Sequence, residues 1–197
     1  SIDDPVRFEK IMSTAMPALR AFMSQNSLDP VIRELEHPDV PLWAIWAIQQ
    51  YAKAVGVEKA RELYADFVHE ILEYISGQKH PDMKVMDNGL VFANGRDKAI
   101  TWMNSTINGK PVVPRSGYIV EFNALWYNAL RFIADLVREG GDVYLADELD
   151  AQAEVTGKSF VEVFRNEYGY LLDYVDGNMM DWSVRPNMIF TVAFDYS

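Results

Sequence analysis

Aromatic, carboxylate, amide and guanidinium side chains recur near the starts of helical segments in this chain. Asp39 stands with Trp43 and Trp102 with Asn104; Arg115, Glu121, Asn123 and Trp126 follow, then Asp176, Asp181, Trp182, Arg185 and Asn187. Sugars are bound by this combination. An aromatic face covers the apolar CH face of the ring, while carboxylates, amides and guanidinium groups meet the hydroxyls in fixed directions. The pattern suits an uncharged polyol. Hydrolysis of a glycosidic bond needs in addition two carboxyl groups, about 6.5 to 9.5 Å apart if the anomeric configuration inverts. With 29 Asp+Glu in 197 residues, carboxylates are easy to find, so their presence alone decides little.

Each of these residues also has an ordinary role. Trp43 and Trp46 fit the core face of a helix, and Asp39 could cap that helix. Asn104 could be a turn residue among Ser105, Asn108 and Gly109, and Glu121 a first-turn carboxylate favoured by the helix dipole. Their joint occurrence at successive loop-to-helix junctions favours the pocket, because one end of a helical barrel would gather those junctions. Other chemistries find less support. His37, His69 and His80 lack the i, i+4 spacing of a metal site and read as surface or helix-end histidines. There is no Walker-type loop, dinucleotide fingerprint or nucleophile elbow. The reading therefore includes no metal and no cofactor.

Helical periodicity supplies the frame. Ile45, Ile48, Ala52 and Val55 recur at three- and four-residue spacing, as do Ala60, Leu63, Tyr64, Phe67, Val68, Ile71, Leu72 and Ile75. With "VGVEK" between them, these segments predict an antiparallel helical hairpin. An earlier helix covers Pro5 to about Met23, where Pro17 is expected to kink or divide it. Phe122, Leu125, Trp126, Ala129, Leu130, Ile133 and Val137 mark another helix, ended by "EGG". "DVYLADELDAQAEV" follows as a helix that "TGKS" stops, with Ser159 and Glu162 as a capping box for a short helix through Arg165. The long stretch from Gly77 to Val120 lacks helical pattern, but "MKVM" and "GLVFA" around Asp87-Asn88-Gly89 predict a small β-hairpin. "YVDGNMMDWSVRPN" is a second irregular piece, and "NMIFTVAF" begins as an apolar helix.

The length fits a single domain over residues 1–197. A formal net charge of -11 opposes binding to nucleic acid or to anionic membrane surfaces. The absence of Cys fits a reducing, cytoplasmic setting. No apolar run approaches the ~20 residues of a membrane-spanning helix.

Several motifs carry a family resemblance. "PDVPLWAIWAIQQY", "TWMN", "PVVPRSG", "VEFNALWYNAL" and "VRPNMIF", in this order, resemble the C-terminal amylo-alpha-1,6-glucosidase domain of glycogen debranching enzymes. The resemblance implies an all-α fold, here a partial (α/α)6 toroid of helical hairpins with a small β-hairpin in the long loop. It implies a metal-free, inverting hydrolysis that removes glucose from an alpha-1,6 branch of an α-glucan. The family motif TWMD falls on Thr101, Trp102, Met103 and Asn104, and its aspartate is the proposed general acid. Asn104 has no dissociable proton near neutral pH. A natural variant with another donor such as Glu121, a binding protein descended from an enzyme, and a deliberate substitution all fit.

Arg115, Glu121, Asn123, Trp126, Arg185 and Asn187 match the family's pocket-lining motifs and so are expected glucose contacts. Asp39, Trp43, Trp102 and Asp176 join them from the reading of the residues, and Met188 replaces a common Gln. The family's base is expected on a later His-Gln/Glu-Gly-Thr-Val-Trp type motif, which this chain lacks. The chain thus resembles the front portion of a larger glucosidase domain, inactive alone and able to self-associate through exposed barrel flanks. The alternative is a noncatalytic alpha-glucan-binding or scaffold protein with the same toroid.

Overall fold

The computed structural model describes residues 2–25 and 36–196. Helix α1, Pro5–Gln25, continues through Pro17 without being divided there. Met12, Leu19 and Phe22 lie on its buried face; Phe8 stacks on Tyr51, and Phe22 meets Tyr74 edge-on. Helices α2 (Val40–Val55) and α3 (Val57–Ser76) form the expected hairpin around Gly56. The predicted apolar stripe on α3 is buried except at its edge, where Leu63 is exposed.

Helix α4, Val120–Glu139, is the centre of the molecule. Seven consecutive residues from Val120 to Trp126 are buried, and α4 packs along its length against α2, α3, α5 and the sheet. The amides of Gln49 and Asn128 form two reciprocal bonds of 3.3 and 2.7 Å that fasten α2 to α4 inside this core.

Helix α5 runs unbroken over Val143–Phe164, so "TGKS" does not stop it and Ser159 opens no second helix. Asp142 caps its start by accepting from the Leu145 amide at 3.0 Å. The small residues are there for contact. Gly157 lies against Tyr127 of α4, where an added Cβ would meet the ring at 3.1 Å. Thr156 returns its hydroxyl to the Gln152 carbonyl at 2.9 Å and also reaches Gly89 at 3.0 Å. Packing along α4 outweighs the ~1 kcal/mol that a helical glycine costs.

The second correction concerns strands. Residues Met83–Val85 (β1) and Val91–Ala93 (β2) form the expected hairpin. Thr106–Ile107 (β3) and Lys110–Pro111 (β4) make a separate two-stranded ribbon. Gly117–Ile119 (β5), Tyr174–Asp176 (β6) and Met179–Met180 (β7) extend the first hairpin into a five-stranded antiparallel sheet of order β1-β2-β5-β6-β7. The chain is therefore mostly helical rather than all-α. A small cluster of Leu90, Val120, Phe164, Leu172 and Val175 joins sheet to helices. The expected helix near the end is short: a 3-10 turn over Pro186–Ile189, then α6 over Phe190–Ala193.

The β1–β2 turn is clamped from two sides. Gly89 adopts φ +80°, and its carbonyl accepts from Trp126 Nε1 at 3.1 Å and from Thr156 Oγ1 at 3.0 Å. His80, expected as a surface or helix-end histidine, is buried, and burial holds its pKa down at about 4. No described helix is long and apolar enough to cross a membrane.

Candidate functional site

The site is built where β5 runs directly into α4. Ile119 pairs with Tyr174 of β6, and the Val120 amide donates to the Asp173 carbonyl at 3.1 Å. This register carries Asp173 to the start of α4, beside Arg115 and Glu121. It depends on Gly117, whose φ is +93° and where an added Cβ would lie 2.2 Å from the Val175 carbonyl oxygen.

Arg115, Glu121 and Asp173 form a fully enclosed ionic core, with side chains at most 1% exposed. Arg115 places Nη1 on one Glu121 oxygen and Nη2 on the other at 2.6 Å. It also donates from Nε and Nη2 to the two Asp173 oxygens at 2.9 and 3.0 Å. Planar guanidinium geometry permits this double fork, which a lysine could not reproduce. Burial pulls the Arg115 pKa down, but the bonds to Glu121 and Asp173 win and hold it above its ordinary value. For Glu121 burial prevails, pushing its carboxyl up against the pull of Arg115.

Asp173 passes the network outward. Arg185 Nη1 donates to it at 2.7 Å and to Asp181 at 2.7 Å, while Asn187 Nδ2 donates to its other oxygen at 2.7 Å. The Asn187 carbonyl in turn accepts from Trp102 Nε1 at 3.1 Å. Trp102 remains 49% exposed, so a polar network holds one edge of an indole that solvent still reaches. Phe190 meets Trp102 edge-on at 6.2 Å and Trp43 at 5.3 Å, making an aromatic wall beside it. Trp43 Nε1 donates to the buried Asp39 at 3.2 Å. Asp39 does not cap α2 through its side chain. Burial raises its pKa to about 6, with further upward pressure from the Glu121 charge.

Trp102, Arg115, Glu121, Arg185 and Asn187 are thus joined in one network, with Asp39 and Trp43 alongside. Asn104, two residues beyond Trp102, is exposed and makes no side-chain hydrogen bond to a described residue. Several expected sugar contacts face inward: Arg115, Glu121 and Asn187 are enclosed within their own network, and Asn123 and Trp126 turn to the main chain. Asn123 is buried, accepting from the Val91 amide at 2.7 Å and donating to the Val91 and Ile119 carbonyls at 3.0 Å each. These bonds occupy its amide and tie α4 to the sheet. Trp126 is equally enclosed, with its indole N–H on Gly89. Asp176 stands apart on β6, bound by Arg96 at 2.9 Å.

Asp173 is the residue that the sequence reading missed. Its signal was present: a carboxylate inside "YLLDYV" would be costly unless a cation met it. The arrangement offers an exposed Trp102 face and the partly exposed Arg185 guanidinium, both held in place by buried groups, beside a buried carboxyl, Asp39, whose pKa burial raises to about 6. These are means to hold a neutral hydroxylated ring and orient it.

Neither a curated protein nor a solved structure matches the chain in comparisons with known proteins. A family model described as amylo-alpha-1,6-glucosidase matches residues 27–197, which include every residue of this network. The chain therefore belongs to the amylo-alpha-1,6-glucosidase family.

Proposed function

We propose that the Trp102–Asn187–Asp173 network receives the terminal glucose of an alpha-1,6 branch of an α-glucan. The chain then derives from a glycoside hydrolase of the glycogen-debranching type that works by inversion. The observation carrying this reading is the half-exposed Trp102 ring fixed by Asn187, which is itself held on the buried Asp173 between two arginines. Such a platform is preorganised, so little order has to be acquired when a sugar stacks on it. In this reading the hairpins α2–α3 and α4–α5 belong to an (α/α)6 toroid, and exposed flanks of that toroid support self-association.

The two residues expected as donors for the leaving oxygen are poorly suited to it. Asn104 has the right neighbourhood and the wrong functional group, and Glu121 has both oxygens on Arg115 in a solvent-free setting. Losing a general acid typically costs ~10² to 10⁴ in rate. Asn104 accordingly favours a second reading for this particular chain, an α-glucan binder without hydrolysis.

Titration calorimetry with isomaltose and maltose tests the proposal. Isomaltose is expected to bind, and Trp102→Ala to weaken it roughly tenfold, about 1.4 kcal/mol. No binding of either sugar, or an unchanged affinity in the variant, overturns the pocket. Glucose release from a limit dextrin tests the second reading: none is expected with Asn104, and release by the unaltered chain would refute the binder.

A further inference from the structure

A second group of aromatics lies outside this network. The loop between α5 and β6 carries Tyr168, 73% exposed, and Tyr170, with ring planes 17° apart and centroids 6.4 Å apart. Trp182, 42% exposed and following β7, meets Tyr168 edge-on at 6.1 Å. Large exposed rings that cluster on a surface lose hydration without gaining a core, and such clusters mark binding sites.

The loop that presents them is fixed by its own bonds. Arg165 and Leu171 form an antiparallel bridge, and the Asn166 amide donates to the Tyr170 carbonyl at 2.9 Å. The buried Asn166 side chain accepts from the Tyr168 and Tyr170 amides at 2.9 and 3.2 Å. On the other side, Asp181 accepts from the Ser183 amide at 2.8 Å and from Arg185 at 2.7 Å, which sets the backbone on both sides of Trp182. Arg185 also binds Asp173, so the aromatic group is continuous with the candidate site through a single side chain.

We infer that Tyr168, Tyr170 and Trp182 form an accessory platform for a linear α-glucan chain, next to the pocket for the branch glucose. The exposed Tyr168 and Trp182 rings offer stacking faces to sugar units, the half-buried Tyr170 stacks with Tyr168, and the Asp181–Arg185 pair supplies acceptor and donor groups for the sugar hydroxyls. A polymer held there keeps the branch point close to Trp102, so that its local concentration is raised without any new contact in the pocket. The inference rests on the pocket reading for its ligand class and on the aromatic geometry for its place.

Calorimetry of the full 197-residue chain with maltoheptaose and, separately, isomaltose tests it. The double variant Tyr168→Ala/Trp182→Ala is expected to lose maltoheptaose affinity by at least about tenfold and to keep isomaltose affinity. Tyr168→Phe, which preserves the ring, retains maltoheptaose binding. Maltoheptaose that fails to bind the unaltered chain, or binds the double variant equally well, overturns the platform. If isomaltose alone fails while maltoheptaose depends on Tyr168 and Trp182, the pocket reading falls and the platform stands. Loss of both sugars in the double variant with an unchanged melting temperature also counts against it, because one site would then serve both ligands.

Discussion

Two arginines at opposite ends of α4 each gather several carboxylates. Arg138, in the last turn, reaches Asp135 at 3.2 Å, Asp147 at 3.5 Å and Asp150 at 2.6 Å, and its side chain is 38% exposed. Arg115, just before the helix, holds Glu121 and Asp173 with 1% exposure. Counting contacts would rank them alike, but solvent separates them. Water and salt screen Arg138, and any of its partners can be released to bulk. Around Arg115 no water competes, so every charge depends on the others, and removal of one strands the rest. The first arrangement decorates a surface, whereas the second fixes the register of β5, β6 and α4, on which the candidate site is built.

That contrast can be broken most directly by Arg115→Ala. Its removal leaves Glu121 and Asp173 buried without a cation, and urea unfolding is expected to record a loss of about 3 to 5 kcal/mol. A loss as small as that of an exposed pair would erase the distinction. Asp39 sharpens it, being a buried carboxyl without a guanidinium bonded to it among the described residues. Its pKa is raised from 3.8 to about 6, so the native chain holds this proton more tightly than the unfolded one. Its stabilising contribution is therefore complete below about pH 4 and is lost as pH rises through about 6. Relative to Asp39→Asn, the unaltered protein should lose up to about 3 kcal/mol across that window, at about 1.4 kcal/mol per pH unit. A flat difference would mean that solvent reaches Asp39. Thr156→Val probes burial without charge: its bond to Gly89 is neutral, and about 1 kcal/mol is expected in the same assay. Arg138→Ala should leave the urea midpoint unchanged in high salt, and a clear shift there would remove the contrast from the exposed side.

Long repeats and strong turn signals made much of the fold legible. Ala60, Phe67, Ile71 and Ile75 marked α3 because a buried helical stripe must repeat at 3.6 residues, and Asp87-Asn88-Gly89 marked its hairpin because few other sequences accept that turn. Strands of two or three residues carry no such period, so β5, β6 and β7 were invisible and the sheet came as a correction. Gly157 misled for a related reason. A small residue that lets two helices touch looks, in sequence alone, like one that ends a helix. At the site, Trp102, Arg115, Arg185 and Asn187 were foreseen and do meet. Asn123 and Trp126 were foreseen as sugar contacts but bond the main chain, since the local sequence does not say which way a polar group faces. Asp173 escaped because its partners lie 58 residues upstream and 12 and 14 residues downstream.

The carbonyl of Gly89 has a consequence for how the molecule is made. Its two donors come 37 and 67 positions later in the chain. A two-stranded hairpin is at best marginally stable alone, so during synthesis from the N-terminus this turn lacks its second clamp until α5 has left the ribosome. The most local piece of the sheet must therefore be among the last to set. Loss of α5 late in translation would leave it frayed even though every residue of the hairpin had already been made.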